Sequence, residues 1–187
     1  MKQNSTIFGY VATLLCVLFF QFSSAQKVTV SDSTPGALSD YTFTYTLTKA
    51  YPANQNSFFN FNVDPSKNSA YVTNAPTPAG PYPTKLPVSL TADEVVVKVN
   101  GVVKTLTTDY TVAFSNSFGE NYKVSITSTT DLSIGDEMEV TLKNVFNNPL
   151  GAAEYLLTWG TFHAAAPTED LPYGVVETFE ATYQNAI

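Results

Sequence analysis

Period-two alternation constrains this chain more than any other feature. In Tyr41-Thr42-Phe43-Thr44-Tyr45-Thr46-Leu47-Thr48, the large apolar side chains and the threonines take strictly alternate places. Successive side chains of an extended strand point to opposite faces, so such a segment has one face for a core and one for water. A helix of the same sequence would scatter the aromatics around its axis. The pattern recurs at Phe59-x-Phe61-x-Val63, at Tyr110-x-Val112-x-Phe114, at Tyr122 to Thr127, at Met138-x-Val140-x-Leu142 and from Tyr155 to Phe162. No stretch holds a 3.6-residue period for three turns, which makes helix a minor component.

Turn chemistry separates these runs. Asn100-Gly101 stands between Val95-Val96-Val97-Lys98-Val99 and Val102-Val103, the signature of a two-residue hairpin loop whose residues need positive φ, and it sets Val99 opposite Val102. Asn116 to Asn121, Leu132 to Asp136 and Asn147 to Gly151 supply further turns. Ser66 to Pro87, with six prolines or glycines at Pro76, Pro78, Gly80, Pro81, Pro83 and Pro87, cannot be a central strand and is expected to cross the surface. With Lys27 to Val30 at the start, about eight or nine short strands follow at hairpin-like spacing. The expected fold is all-β, a single antiparallel two-sheet sandwich over residues 26–163. Residues 164–187 are expected to be a C-terminal extension, with Val175 to Tyr183 as a possible added edge strand.

Ahead of the alternation stands a different pattern. Lys2 precedes an apolar run from Ile7 through Phe20, and Ser23 and Ala25 sit where a signal peptidase needs small residues, so residues 1–25 read as a cleavable signal peptide. The run is short for a membrane span, which needs roughly 18 to 20 residues. Leu14 and Leu15 before Cys16 argue against a lipid-modified cysteine. Cys16 is the only cysteine, so the mature domain has no disulfide and must be held by its core. The expected location is exported: secreted, periplasmic or cell-surface.

Charge excludes some partners. Sixteen Asp and Glu stand against nine Lys, with no Arg, for a formal net charge of -7. Without guanidinium groups and with net negative charge, neither nucleic acid nor an anionic membrane is an expected partner.

Val97-x-Val99-Asn100-Gly101, Thr108-Asp109-Tyr110-Thr111-Val112, Leu132-Ser133-Ile134-Gly135-Asp136 before the Val140 strand, and Asn148-Pro149-x-Gly151 before the Tyr155 strand together resemble immunoglobulin-like modules of bacterial secreted and cell-surface proteins. Pro35-Gly36 before the Tyr41 strand fits the opening of such a module. The resemblance implies a structural, adhesive or carbohydrate-facing role. Pro167 to Ile187 departs from the pattern. Some such modules carry a lysine-to-asparagine crosslink, for which Lys98 and Lys143 are candidates.

Catalytic constellations are scarce. His163 is the single histidine, no Gly-x-Ser-x-Gly elbow or nucleotide-binding glycine pattern occurs, and no catalytic or metal-binding residue is assigned. The adjacent acids Asp93-Glu94, Asp136-Glu137 with Glu139, and Glu169-Asp170 would point to opposite faces of a strand, and read as solvated turn residues ahead of glycosidase or calcium sites. No cofactor is expected, calcium being conceivable. Tyr51, Tyr71, Tyr82 and Tyr173 fall in expected loops, where they either stack on a sugar or pack back against the rim with the ring buried and the hydroxyl wet; the second reading is favoured. Trp159, inside an alternating strand, should be core. The leading expectation is a non-enzymatic structural or adhesive module whose partner is an extracellular polysaccharide or another surface protein. A carbohydrate-binding module using the loop tyrosines and a small secreted hydrolase are the alternatives.

Overall fold

The computed structural model describes residues 26–53, 57–62, 90–117, 120–147, 154–163 and 174–184. The expected signal segment of residues 1–25, the expected surface crossing of Ser66 to Pro87, residues 148–151 of the expected turn and residues 164–173 lie outside the described residues. Among the described residues ten strands are formed: β1 (Lys27–Val30), β2 (Leu38–Thr46), β3 (Ser57–Asn62), β4 (Val95–Val99), β5 (Val102–Val103), β6 (Tyr110–Ser117), β7 (Glu120–Ser128), β8 (Glu137–Phe146), β9 (Glu154–His163) and β10 (Gly174–Gln184). The single turn of 3-10 helix at Ala92–Glu94 is the one helical element among the described residues, and Thr91 with Glu94 closes a capping box around it.

The alternation translates directly into sidedness. Along β2, Ser39, Tyr41, Phe43 and Tyr45 are buried while the residues between them are partly exposed. In β4 and β8 the same rule buries Val95, Val97 and Val99, and Met138, Val140 and Leu142. Asn100 (φ 51°) and Gly101 (φ 75°) form the left-handed hairpin turn, and Val99 pairs with Val102. A Cβ on Gly101 would meet nothing within 4 Å, so backbone conformation rather than space selects glycine there.

All paired strands of the ladders are antiparallel. They form two five-stranded sheets, one in the order β1-β2-β8-β4-β5 and one in the order β10-β9-β3-β7-β6. One core lies between them, an arrangement compatible with a β-sandwich. Phe43 of β2 meets Phe61 of β3 at 5.0 Å and Trp159 of β9 at 4.9 Å between ring centroids, and Tyr45 of β2 meets Phe179 of β10 at 4.4 Å. Each such pair adds about 0.5 to 1.5 kcal/mol to the gain from burying its rings. Trp159 is 1% exposed, as its place in the alternation implies. The Tyr110 hydroxyl of β6 donates to the Val95 carbonyl of β4 at 2.7 Å and fastens the sheets together at another point.

The C-terminal run is more than an extension. β10 pairs with β9 along its length, forms an edge of the second sheet, and contributes Phe179 to the shared core. It and the two-residue β5 bring the strand number to ten. Three irregularities break the ladders, one of them between Ser115 and Asn116 of β6. Ser39 pairs with Val145 and Tyr41 with Leu142, so that Asp40 faces two residues of β8, one of them Asn144 at φ 56°. In β10 the register shifts between Val175 and Glu177.

Candidate functional site

Two features stand out from the regular sheets: a buried carboxylate, and a pair of laced turns that carry exposed aliphatic side chains.

Glu177 of β10 is 8% exposed and shares its face with Phe179. Its Oε1 accepts from the Thr48 amide at 2.8 Å and from the Thr48 hydroxyl, and its Oε2 accepts from the Tyr51 hydroxyl. Tyr51 Oη also lies 2.8 Å from Thr161 Oγ1, which in turn accepts from the Glu177 amide at 2.9 Å. The segment that follows β2 is thereby tied to both β9 and β10. A buried carboxylate is tolerable only when its lone pairs are filled, and here both oxygens are. Burial, reinforced by the Glu177 carboxylate, pushes the Tyr51 hydroxyl far above the ordinary tyrosine value. Burial does the same to Tyr45, whose hydroxyl has no hydrogen-bond partner among the described residues.

The structure corrects one candidate of the sequence reading. Tyr51 is 2% exposed, bridges Leu132 through two backbone hydrogen bonds of 2.8 Å, and sets its ring 5.4 Å from that of Phe59. Its ring is unavailable for stacking on a sugar, and its hydroxyl is bound to Glu177 where a wet one was expected. Tyr71, Tyr82 and Tyr173 lie outside the described residues. The acids of the loops act locally: Glu94 accepts from the Thr91 amide at 2.9 Å and the Asn144 side chain at 3.1 Å, and Asp136 from the Ser133 amide at 2.7 Å and Asn100 Nδ2 at 2.8 Å. Glu169 and Asp170 lie outside the described residues. Among the described residues no three His, Cys, Asp or Glu side chains come together as a metal site. Lys98, a crosslink candidate, faces Glu139 across the β4–β8 ladder with Nζ 2.6 Å from a carboxylate oxygen. His163 pairs through its backbone with Ser57 and Gly174 at the end of β9.

The laced turns are the 100–101 hairpin turn and the 133–136 turn. The Asn100 amide donates to the Glu137 carbonyl at 2.8 Å, the Glu137 amide donates to Asn100 Oδ1 at 2.9 Å, and the Gly135 amide donates to the Leu47 carbonyl at 2.8 Å. With the Asn100–Asp136 bond, these fix both turns to the ends of β2 and β8. On this frame Val102, Val103 and Ile134 stand 60%, 61% and 70% exposed. The sequence reading found both turns and gave their aliphatic residues no role, because in an alternating pattern a valine next to a turn is equally suited to the core. A cavity of about 10 Å³ between the sheets, lined by Phe59, Val97, Ile126 and Met138 among others, has room for a single water at most.

Among the described residues, no helix is long and apolar enough to cross a membrane. No protein-family model matches the chain, and no curated protein does. Among solved structures it is similar to the crystal structure of BslA, a bacterial hydrophobin, with 16% identity over 86% of this chain and 94% of that one and a TM-score of 0.38. It is also similar to AvmM, which catalyses macrocyclization in alchivemycin A biosynthesis, with 12% identity over 88% of this chain and 90% of that one and a TM-score of 0.34.

Proposed function

We propose that this chain is an exported, immunoglobulin-like β-sandwich that works without catalysis, as an adhesive structural module at or beyond the cell surface. The observation that carries this reading is the exposure of Val102, Val103 and Ile134 on two turns held by side-chain and backbone hydrogen bonds. Aliphatic groups presented on a fixed frame lose little conformational entropy when they meet a partner, which favours attachment through apolar contact. Export agrees with the signal pattern of residues 1–25 and with an acidic, arginine-free composition.

The test is the detachment force of beads coated with the protein from an alkyl-coated surface and from a polysaccharide-coated one. Adhesion to the alkyl surface should fall by about tenfold or more when Val102, Val103 and Ile134 are all changed to Ser, with the fold intact because these side chains are exposed. Equal adhesion of the triple variant overturns the reading. Turnover of an ester or glycoside that disappears on changing His163 would replace it with a hydrolase.

A further inference from the structure

The four sheet edges are protected unequally. β1 is four residues long, begins with Lys27 and runs close to β10. β5 has two residues. β10 carries Glu177, Glu180 and a register shift. These are the usual means of keeping an edge from pairing with another chain. β6, the remaining edge, has eight residues, Tyr-Thr-Val-Ala-Phe-Ser-Asn-Ser, without a charge or a proline. Its one irregularity comes late, between Ser115 and Asn116.

The direction of its backbone groups follows from two hydrogen bonds. The Thr129 amide donates to the Asp109 carbonyl at 2.8 Å, so Asp109 faces β7, and alternation turns the amides and carbonyls of Tyr110, Val112 and Phe114 to the open side. The Thr107 amide caps the Tyr110 carbonyl at 2.7 Å. For the outward groups of Val112 and Phe114 there is no hydrogen-bond partner among the described residues. Their side chains are half-buried against the core, whereas Thr111 and Ala113 are exposed.

We propose that β6 pairs antiparallel with β6 of a second copy of this chain, about a two-fold axis through Ala113. In this register Val112 faces Phe114 of the second copy, and each pair exchanges N–H···O=C bonds in both directions through the groups that have no partner among the described residues. Ala113 faces its own counterpart at the non-hydrogen-bonded position, where strands come closest, at roughly 4.5 Å between Cα atoms. The flanking aromatic–β-branched pairs are the cross-strand contacts that stabilise a ladder. Two acidic copies can meet here because the contact strand is neutral. A second copy is favoured over a foreign strand because it brings a Phe114 to each Val112 in this register and sets no charge opposite another. The inference does not depend on the adhesive reading.

Sedimentation of the purified chain at increasing concentration tests it, together with Ala113→Lys and Ala113→Glu. The wild type should form a dimer, with the Val112 and Phe114 amides gaining hydrogen-exchange protection as it does. Each variant, which opposes two like charges at the axis, should self-associate on the order of a hundredfold more weakly. An equimolar mixture of the two should dimerise again. A wild type that stays monomeric, variants that still dimerise, or a mixture that stays monomeric each overturns the proposal; the first would leave the edge to a strand from another protein. Ala113 is exposed, so the variants should keep the monomer fold, and the wild-type exchange measurement decides the matter if they do not.

Discussion

Tyr41, near the start of β2, and Tyr51, beyond its other end, each bury the ring and hand the hydroxyl to a buried acceptor. At one end the acceptor is neutral. Tyr41 donates to Asn147 Oδ1 at 2.8 Å, the Asn147 side-chain amide donates to the carbonyls of Asp32 at 2.7 Å and Thr34 at 2.9 Å, and the Asn147 backbone amide donates to the Ala37 carbonyl at 2.8 Å. At the other end the acceptor is the Glu177 carboxylate, which only accepts and has gathered donors from Thr48 and Tyr51. An amide can satisfy a donor and several acceptors at once, and Asn147, just past β8, does so for Tyr41 of β2 and for carbonyls of the segment between β1 and β2. A carboxylate only accepts, so Glu177 of β10 must be met by donors, and Thr48 and Tyr51 bring them from the segment after β2, which ties that segment to β10 and leaves the acid costly to disturb.

That contrast can be broken most forcefully at Glu177. Glu177→Ala is expected to lower stability by about 3 kcal/mol or more, since the Thr48 and Tyr51 donors lose their acceptor and a buried space is left, as read by thermal or denaturant unfolding. Glu177→Gln should lose clearly less, because one oxygen still accepts. Asn147→Ala comes next, at about 2 kcal/mol, for the carbonyls and the Tyr41 hydroxyl it leaves. Tyr51→Phe should cost about 1.5 to 3 kcal/mol, the net value of a hydrogen bond to a charged group, toward the lower end because Thr48 still fills the other carboxylate oxygen.

A pH titration sharpens the comparison. The hydroxyls of Tyr45 and Tyr51 are held above the ordinary value of 10.0 in the fold, mainly by burial. The unfolded chain therefore loses these protons first, so the stability they confer is complete below pH 10 and declines as pH rises beyond it. Unfolding midpoints followed into alkali should fall less steeply for a Tyr45→Phe, Tyr51→Phe double variant than for the wild type. The smallest effect is expected at Tyr45 alone. Tyr45→Phe removes a buried hydroxyl that has no partner among the described residues, and should be neutral or stabilise by up to about 1 kcal/mol at neutral pH.

How much of this was legible in the sequence depended on how local its cause was. Asn100-Gly101 specified a hairpin because both residues tolerate positive φ, and Val99 met Val102 as the two-residue loop requires. Trp159 and the Tyr41, Phe43, Tyr45 series went to the core because alternation leaves them no other face. Glu177 was not read as buried. A glutamate two residues before Phe179 alternates onto the core face, which was the available signal, but the moderate strand propensity of Val175 to Tyr183 does not decide whether the run joins the sheet at all. Tyr51 was placed in a loop for want of a regular pattern around it, yet a single bridge to Leu132 fixes it between the sheets.

The amino-acid order alone determined that the chain is β-rich, where its hairpin turns, and which side chains share a strand face, since these follow from φ/ψ preference and the two-residue repeat of an extended backbone. The tertiary structure decided the sheet orders, the return of β8 between β2 and β4, the burial of Glu177, and the outward display of Val102, Val103 and Ile134. Those outcomes rest on contacts between residues far apart in the chain, and a side chain's solvent exposure is set by what packs against it.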